Sequence, residues 1–249
     1  MRIRKSLLWF ACFMTVLLIA STGFAAEKLA KKQILSFNVG TEPSTLDPAK
    51  STGIPEAIIE LNCFEGLTRM DENNMPQPAI AESWTISKDG LVYTFKLREG
   101  VTYADGTPLT ANDFVYSWER INSLEGEVSG LVQVYVESVV ALDDLTVQYT
   151  LKNAYGFFPA LAATAPFVPV NANIFGADAL VSFPEKIDGV GPYRMVSHVP
   201  GEQMVLAANP NYYGEDAAII PNVIIRYYAD PTTMANAVEK GEIDVAWRT

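Results

Sequence analysis

Chemically reactive side chains are scarce in this chain of 249 residues, which has one histidine and two cysteines. The spacing of its Cys and His residues does not match a zinc site. It also lacks the G-x-x-x-x-G-K-S/T, G-x-G-x-x-G and G-x-S-x-G motifs of phosphate, dinucleotide and hydrolase sites. His198 alternates with apolar neighbours in a predicted strand, and we interpret it as a solvent-facing residue. The sequence therefore predicts no enzyme activity, no metal and no cofactor.

Positive charge is also in short supply. Lys and Arg number 18 against 29 Asp and Glu, which gives a net charge of −11. Without residues 1–25 the counts become 15 and 29, and the net charge falls to −14. Such a surface repels nucleic acid and anionic lipid. The composition therefore excludes nucleic acid as a partner.

No apolar run reaches the roughly 20 residues that a membrane-spanning helix needs. The longest begins at Leu7 and ends at Ala20, after a basic start. Gly23 and Ala25 follow at the spacing of a small-x-small cleavage site. The alternative is a membrane anchor, for which the run is too short. We predict a signal peptide at residues 1–25, an exported soluble protein, and no integral membrane span after cleavage.

One cysteine, Cys63, lies outside the predicted signal peptide, so an internal disulfide is excluded. It occurs in "AIIELNCFEGL", between apolar residues at helical spacing. We predict a buried structural thiol rather than a reactive one.

Both ends of the remaining chain have an α/β pattern. "QILSFNVG" is rich in strand formers, a Pro- and Gly-containing loop follows, and "IPEAIIELNCFEGLTRM" has apolar residues close to a helical period. Near the end, "PNVIIRYYADPTTMANAVEKGEIDVAW" indicates strand, helix and strand. Asp230 caps this helix and Gly241 ends it. We predict a right-handed βαβ crossover onto a parallel sheet.

The middle of the chain is typical of antiparallel hairpins. "SWTISKDGLVYTFKLREGV" and "VESVVALDDLTVQYTL" each indicate two strands, turning at residues 88–90 and 143–144. Thr110 and Asp113 fit the start signal of a helix between these hairpins. A third hairpin is predicted around the Pro200-Gly201 turn.

Several of these segments together resemble the extracellular solute-binding proteins of the peptide/nickel class (family 5), and most of all their oligopeptide-binding members. The resemblance is carried by E-G-L, P-x-x-A-x-S-W, F-x-L-R-x-G-V, D-G-T-P-x-T-A-x-D-F-V-Y-S-W, G-P-Y and G-E-I-D, in the family's order. It runs from about residue 35 to the last residue.

The resemblance implies a fold of two α/β lobes with a third, antiparallel domain inserted into the first lobe. On that plan, residues 27–64 and 170–249 form the first lobe of a type II periplasmic-binding-protein fold. Residues 65–169 form the inserted, hairpin-rich α+β domain. Family members are about twice as long, so we expect the second lobe to lie beyond Thr249. The chain is then an N-terminal half.

The resemblance also implies a function: an exported, periplasmic receptor that captures short peptides and delivers them to the permease of an ABC importer. In the family, extended peptides bind between the lobes through backbone hydrogen bonds. The segment "KSTGIPE" matches the edge laid against the peptide, which assigns backbone contacts to Thr52, Gly53 and Ile54. Trp247 lies where the chain would cross to the second lobe, and it is the fourth predicted ligand-binding residue.

Two alternatives remain open at this point. The same fold could bind another solute, such as a nickel complex, haem, glutathione or an oligosaccharide. The chain could also be an interaction module with no role in transport. As a half-receptor, with the carboxylate that holds a peptide's amino terminus on the other lobe, it is expected to bind peptides weakly.

Overall fold

The computed structural model describes residues 33–124, 126–177, 183–215 and 218–246. The predicted signal peptide (residues 1–25) and Trp247 lie outside these residues. No helix in the described part combines the length and apolar character needed to cross a membrane. The elements are β1 Ile34–Asn38, α1 Ile54–Cys63, β2 Thr68–Met70, β3 Pro76–Pro78, β4 Ala81–Ile86, β5 Val92–Leu97, α2 Ala111–Ser123, α3 Glu127–Tyr135, β6 Val136–Asp143, β7 Thr146–Leu151, α4 Phe158–Leu161, a 3₁₀ turn Ala165–Phe167, β8 Tyr193–Val199, β9 Gln203–Ala208, β10 Asn222–Arg226 and α5 Pro231–Glu239.

The first sheet has the order β1-β10-β9-β8, with β1 and β10 parallel and the other pairs antiparallel. Alternate residues of its strands form an apolar cluster with Ile59 and Cys63 of α1. Cys63 is fully buried, as predicted, and burial raises the pKa of its thiol. Of the strand predicted at residues 242–247, Val245 forms a single parallel bridge with Phe37 of β1. The helix α5 therefore connects two segments that are each parallel to β1.

The second sheet has the order β4-β5-β7-β6 and is antiparallel throughout. Both predicted turns are confirmed, and Gly90 supplies the positive φ (73°) that the first one requires. The predicted alternation in β5 is confirmed as well. Tyr93, Phe95 and Leu97 are each at most 1% exposed, and they form the centre of an aromatic core.

Helix α2 begins where the sequence predicted. The backbone N–H of Thr110 donates to Asp113 Oδ2 at 2.7 Å, which satisfies a group at the helix start. Phe114 and Ile121 then face the core of the second sheet. The two apolar clusters lie mainly in residues 67–167 and in the segments on either side of them. The domain boundaries near residues 65 and 169 stay a prediction.

His198 is not the solvent-facing residue that the sequence pattern indicated. Its side chain is 10% exposed, its ring stacks on Phe183 with centroids 4.5 Å apart, and Nε2 lies 2.7 Å from Glu42 Oε1. Glu42 also accepts a hydrogen bond from the N–H of Gly201. Alternation along β8 could not reveal this contact, because the covering residues come from distant parts of the chain.

Candidate ligand-binding site

A cavity of about 540 Å³ lies beside helix α1. One wall is formed by the loop before α1 and by one side of that helix, and the rest by the segments around residues 65–70 and 163–166. This volume is in the range of small-molecule sites. The lining residues that matter below are Ser51, Thr52, Gly53, Ala57, Glu60, Leu61, Phe64, Glu65, Arg69 and Tyr212.

Helical periodicity explains why α1 lines the cavity with so many residues. Five lining residues share one side of the helix, because successive members are three or four positions apart or are adjacent. They are Gly53, Ala57, Glu60, Leu61 and Phe64. Gly53 and Ala57 are the smallest of the five.

The structure brings two of the four predicted site residues to this cavity. Thr52 and Gly53 lie in its wall. Ile54 is the first residue of α1 and is 47% exposed, but it is not among the lining residues. Trp247 lies outside the described residues. The ligand-binding roles of all four stay predictions.

The loop at Thr52 and Gly53 presents unused backbone donors. Gly53 has an extended backbone, with φ −93° and ψ 164°. Within the described residues, the N–H groups of Thr52 and Gly53 donate no hydrogen bond. Thr52 is exposed, so water satisfies such groups in the free protein. An extended segment with free donors can pair with the backbone of a ligand.

The Glu56 side chain comes so close to position 53 that only glycine fits there. A Cβ atom at position 53 would lie 2.1 Å from Glu56 Oε2. The Glu56 side chain cannot easily move away, because it is buried and its Oε1 accepts hydrogen bonds from the N–H of Ser44 at 2.6 Å and from its hydroxyl at 3.0 Å. The glycine therefore lets a buried carboxylate hold the loop in place.

We expect Gly53→Ala to lower the free energy of unfolding by about 1–2 kcal/mol, the worth of a charge-assisted hydrogen bond that the new methyl group disturbs. Urea denaturation measures this change. Gly130→Ala is the matched control, because Gly130 lies in α3 with no atom within 4 Å of its added Cβ. There alanine should stabilise by up to about 1 kcal/mol. Equal effects at both positions would contradict the close-approach argument.

Glu60 contributes a buried carboxyl group to the cavity wall. It is 1% exposed, and its Oε2 accepts a hydrogen bond from the Ser51 hydroxyl at 2.7 Å. Within the described residues, Oε1 has no hydrogen-bond partner. Burial raises the pKa of Glu60 to about 7, the Ser51 hydrogen bond opposes the shift, and the charges of Glu56 and Asp47 add to it.

A second carboxylate, that of the half-buried Glu65, also lines the cavity. Glu65 accepts hydrogen bonds from the hydroxyls of Tyr213 at 2.5 Å and Tyr212 at 3.3 Å. Arg69 Nη1 lies 3.9 Å from Glu65 Oε1. Burial raises the pKa of Glu65, while these neighbours lower it. Next to it, Gly66 packs against the carbonyl oxygen of Ala162, where a Cβ atom would not fit.

The residues around the cavity suit binding rather than catalysis. They offer carboxylates, one guanidinium group, apolar side chains and free backbone donors. In the described part of the chain, no group of three or more His, Cys, Asp or Glu side chains is placed to hold a metal ion. Glu60, Glu65 and Arg69 are not among the site residues predicted from the sequence. A signal existed for Glu60, since the buried side of α1 reads Glu56, Ile59, Glu60 and Cys63, and two acids stand where helical periodicity calls for apolar residues.

Comparison with known proteins gives one family match. A family model described as bacterial extracellular solute-binding proteins, family 5 middle, covers residues 75–249. The periplasmic oligopeptide-binding protein OppA of Salmonella typhimurium is 34% identical, over 98% of this chain and 49% of OppA. The chain thus spans about half the length of the curated relatives it matches.

Two solved bacterial proteins have a similar fold. The substrate-binding domain of an oligopeptide ABC transporter from Bacillus anthracis has a TM-score of 0.79 and 29% identity, covering 87% of this chain and 45% of that one. NikZ from Campylobacter jejuni, in complex with Ni(L-His), has a TM-score of 0.76 and 31% identity, covering 87% and 43%.

Proposed function

Because the chain belongs to the bacterial extracellular solute-binding proteins of family 5, we propose that it captures short peptides in the periplasm for delivery to the permease of an ABC importer. The motifs in the sequence predicted this family and its α/β fold, and both predictions are confirmed by the family match and by the solved structures. Peptide capture and a periplasmic location are supported by the similarity to the periplasmic oligopeptide-binding protein OppA, and a role in an ABC importer by the similarity to the substrate-binding domain from Bacillus anthracis.

The observation that carries the proposal is the unused backbone of the loop before α1. Thr52 and Gly53 line the cavity with N–H groups that donate no hydrogen bond within the described residues. Backbone pairing gives affinity for peptides with little regard for their side chains. We assign this pairing to Thr52, Gly53 and Ile54, and we assign a contact with the ligand to Trp247.

A cavity of this size has room for ligand side chains of different volume. Ligand side chains that do not fill about 540 Å³ leave room for water, which bridges polar groups at little cost. Leu61 and Met70, both exposed, offer apolar contacts at the rim. The proposed activity is reversible binding and release, without a chemical step.

Calorimetry of the full chain with peptides of two to five residues tests the proposal. We expect dissociation constants on the order of 10 μM to 1 mM, with free amino acids binding more weakly. Thr52→Pro, which removes a backbone N–H, should weaken peptide binding about tenfold. Thr52→Ala is the matched control, since it keeps the backbone and should change affinity less than about twofold.

A second solute class follows from the similarity to NikZ, which binds Ni(L-His). The same calorimetry with that complex in place of peptides separates the two functions. Binding of Ni(L-His) together with failure of every peptide would contradict peptide capture. Equal loss of affinity in Thr52→Ala and Thr52→Pro would contradict the backbone role.

A further inference from the structure

One side-chain oxygen of Glu60 is buried and has no hydrogen-bond partner among the described residues. The side chain is on the cavity side of α1, and the residues one and two turns before it, Ala57 and Gly53, are small. One carboxylate oxygen is held by Ser51, and the other has no hydrogen-bond partner among the described residues. Buried acceptors are nearly always hydrogen-bonded in folded proteins, and exceptions tend to have a functional reason.

The charges around Glu60 make a positive partner favourable. Asp47 is held in a two-bond pair by Arg120, and Glu56 is held by hydrogen bonds from Ser44. Within the described residues, no Lys or Arg forms an ion pair with Glu60. The negative charges of Glu56 and Asp47 both act on Glu60, so a positive charge in the cavity would lower the electrostatic energy.

The remaining titratable neighbours do not provide that charge. Cys63 lies one turn along α1 and is a buried thiol with a raised pKa. Arg69, which also lines the cavity, lies close to Glu65, whose carboxylate already offsets it. When Glu60 is ionised, the lining residues therefore carry more negative than positive charge.

We propose that Glu60 binds a positively charged nitrogen group on a side chain of the ligand, so that the cavity prefers peptides with a basic side chain near α1. This inference rests on the proposed peptide-binding function. An ammonium or guanidinium group donates charge-assisted hydrogen bonds to the free oxygen, and these are about twice as strong as neutral ones. Because this oxygen is buried, the carboxylate has to turn toward the cavity to make these bonds.

Protonation of Glu60 sets the pH dependence of this preference. With a folded-state pKa of about 7, the carboxyl group is mostly neutral at pH 6 and mostly charged at pH 8. A bound cation lowers that pKa, so binding near pH 7 releases protons. The preference for basic ligands should therefore be larger at pH 8 than at pH 6.

Calorimetry with two matched peptides tests the proposal. Ala-Lys-Ala and Ala-norleucine-Ala have side chains of similar length and differ in charge. At pH 8 we expect the full chain to prefer the lysine peptide about tenfold, and Glu60→Gln to reduce the preference to within about twofold. The amide of glutamine can still accept from Ser51, so the fold is retained. Amino-terminal acetylation of both peptides should leave the lysine preference unchanged. Equal affinity of the two free peptides, with both weakened by acetylation, would place the amino terminus at Glu60 and overturn the proposal.

The controls separate this inference from the function on which it rests. Glu72→Gln removes one charge from an exposed turn and should leave the preference unchanged. Glu60→Asp keeps the charge and should retain part of the preference. Binding of both peptides with no effect of Glu60→Gln on their affinities would overturn the role of Glu60 and leave peptide capture standing. Failure of every peptide to bind would overturn both.

Discussion

Replacing Arg120 by alanine is expected to lower the free energy of unfolding by about 3–5 kcal/mol, the largest effect of any substitution considered for this chain. The Arg120 side chain is 1% exposed and that of Asp47 is fully buried. Nη1 and Nη2 of Arg120 donate to the two Asp47 oxygens at 2.8 and 2.6 Å. Nε donates to the carbonyl of Gly176 at 2.7 Å. Alanine removes these donors from a carboxylate that cannot reach water, and it leaves a space beside Phe175.

Three further variants identify the cause of the loss, each measured by urea denaturation at one pH. Arg120→Lys should restore little, because an ammonium cannot make the two-bond contact. The double variant Arg120→Met with Asp47→Leu should be more stable than Arg120→Ala, since it buries no charge. Lys96→Ala breaks an exposed ion pair with Glu82 and should cost less than about 1 kcal/mol. Similar losses for Lys96→Ala and Arg120→Ala would contradict this account.

The second large effect is expected at Glu60. At pH 8, Glu60→Gln should raise the free energy of unfolding by an amount on the order of 3 kcal/mol. The wild-type carboxyl has a pKa near 4.5 when unfolded and about 7 when folded. Its neutral form is favoured by folding, so its contribution to stability is complete below pH 4.5 and is lost as the pH rises to 7. Glutamine does not ionise and avoids that loss.

Unfolding curves at pH 4.5, 6 and 8 check the sign as well as the size. The two proteins should differ little at pH 4.5, and the gap should widen up to about pH 7 and then stay constant. Glu72→Gln, at an exposed turn position, is the control and should stay within about 0.5 kcal/mol of the wild type at each pH. A wild type that gains stability relative to Glu60→Gln between pH 4.5 and pH 7 would show that Glu60 is paired in the folded state.

Both large effects also bear on ligand binding. The Arg120–Asp47 pair joins helix α2 to the loop that leads to Thr52, and Glu60 lies behind that loop. A chain that holds an unpaired carboxylate beside its cavity is less stable than one with glutamine there. Retaining such a group is understandable if the ligand supplies its partner.

The local sequence determined most of the elements of this protein. The turn at Gly90, the helix start at Thr110 and the alternation through Phe95 each depend on residues within a few positions of one another. Short-range backbone sterics and side-chain periodicity are enough to predict features of that kind. The family resemblance predicted a ligand-binding role for Thr52 and Gly53, and both line a cavity, while the role itself stays a prediction.

Only the tertiary structure determines which charged and titratable groups meet. His198 meets Glu42 across 156 positions, and Arg120 meets Asp47 across 73. Helical periodicity puts Glu60 on the apolar side of α1, but its sequence neighbours do not show the depth at which the folded chain holds it. The charge state of a carboxyl depends on lost hydration and on charges brought close by folding. Those quantities exist only once distant segments have packed together, so the sequence could indicate a binding loop but not the buried charge behind it.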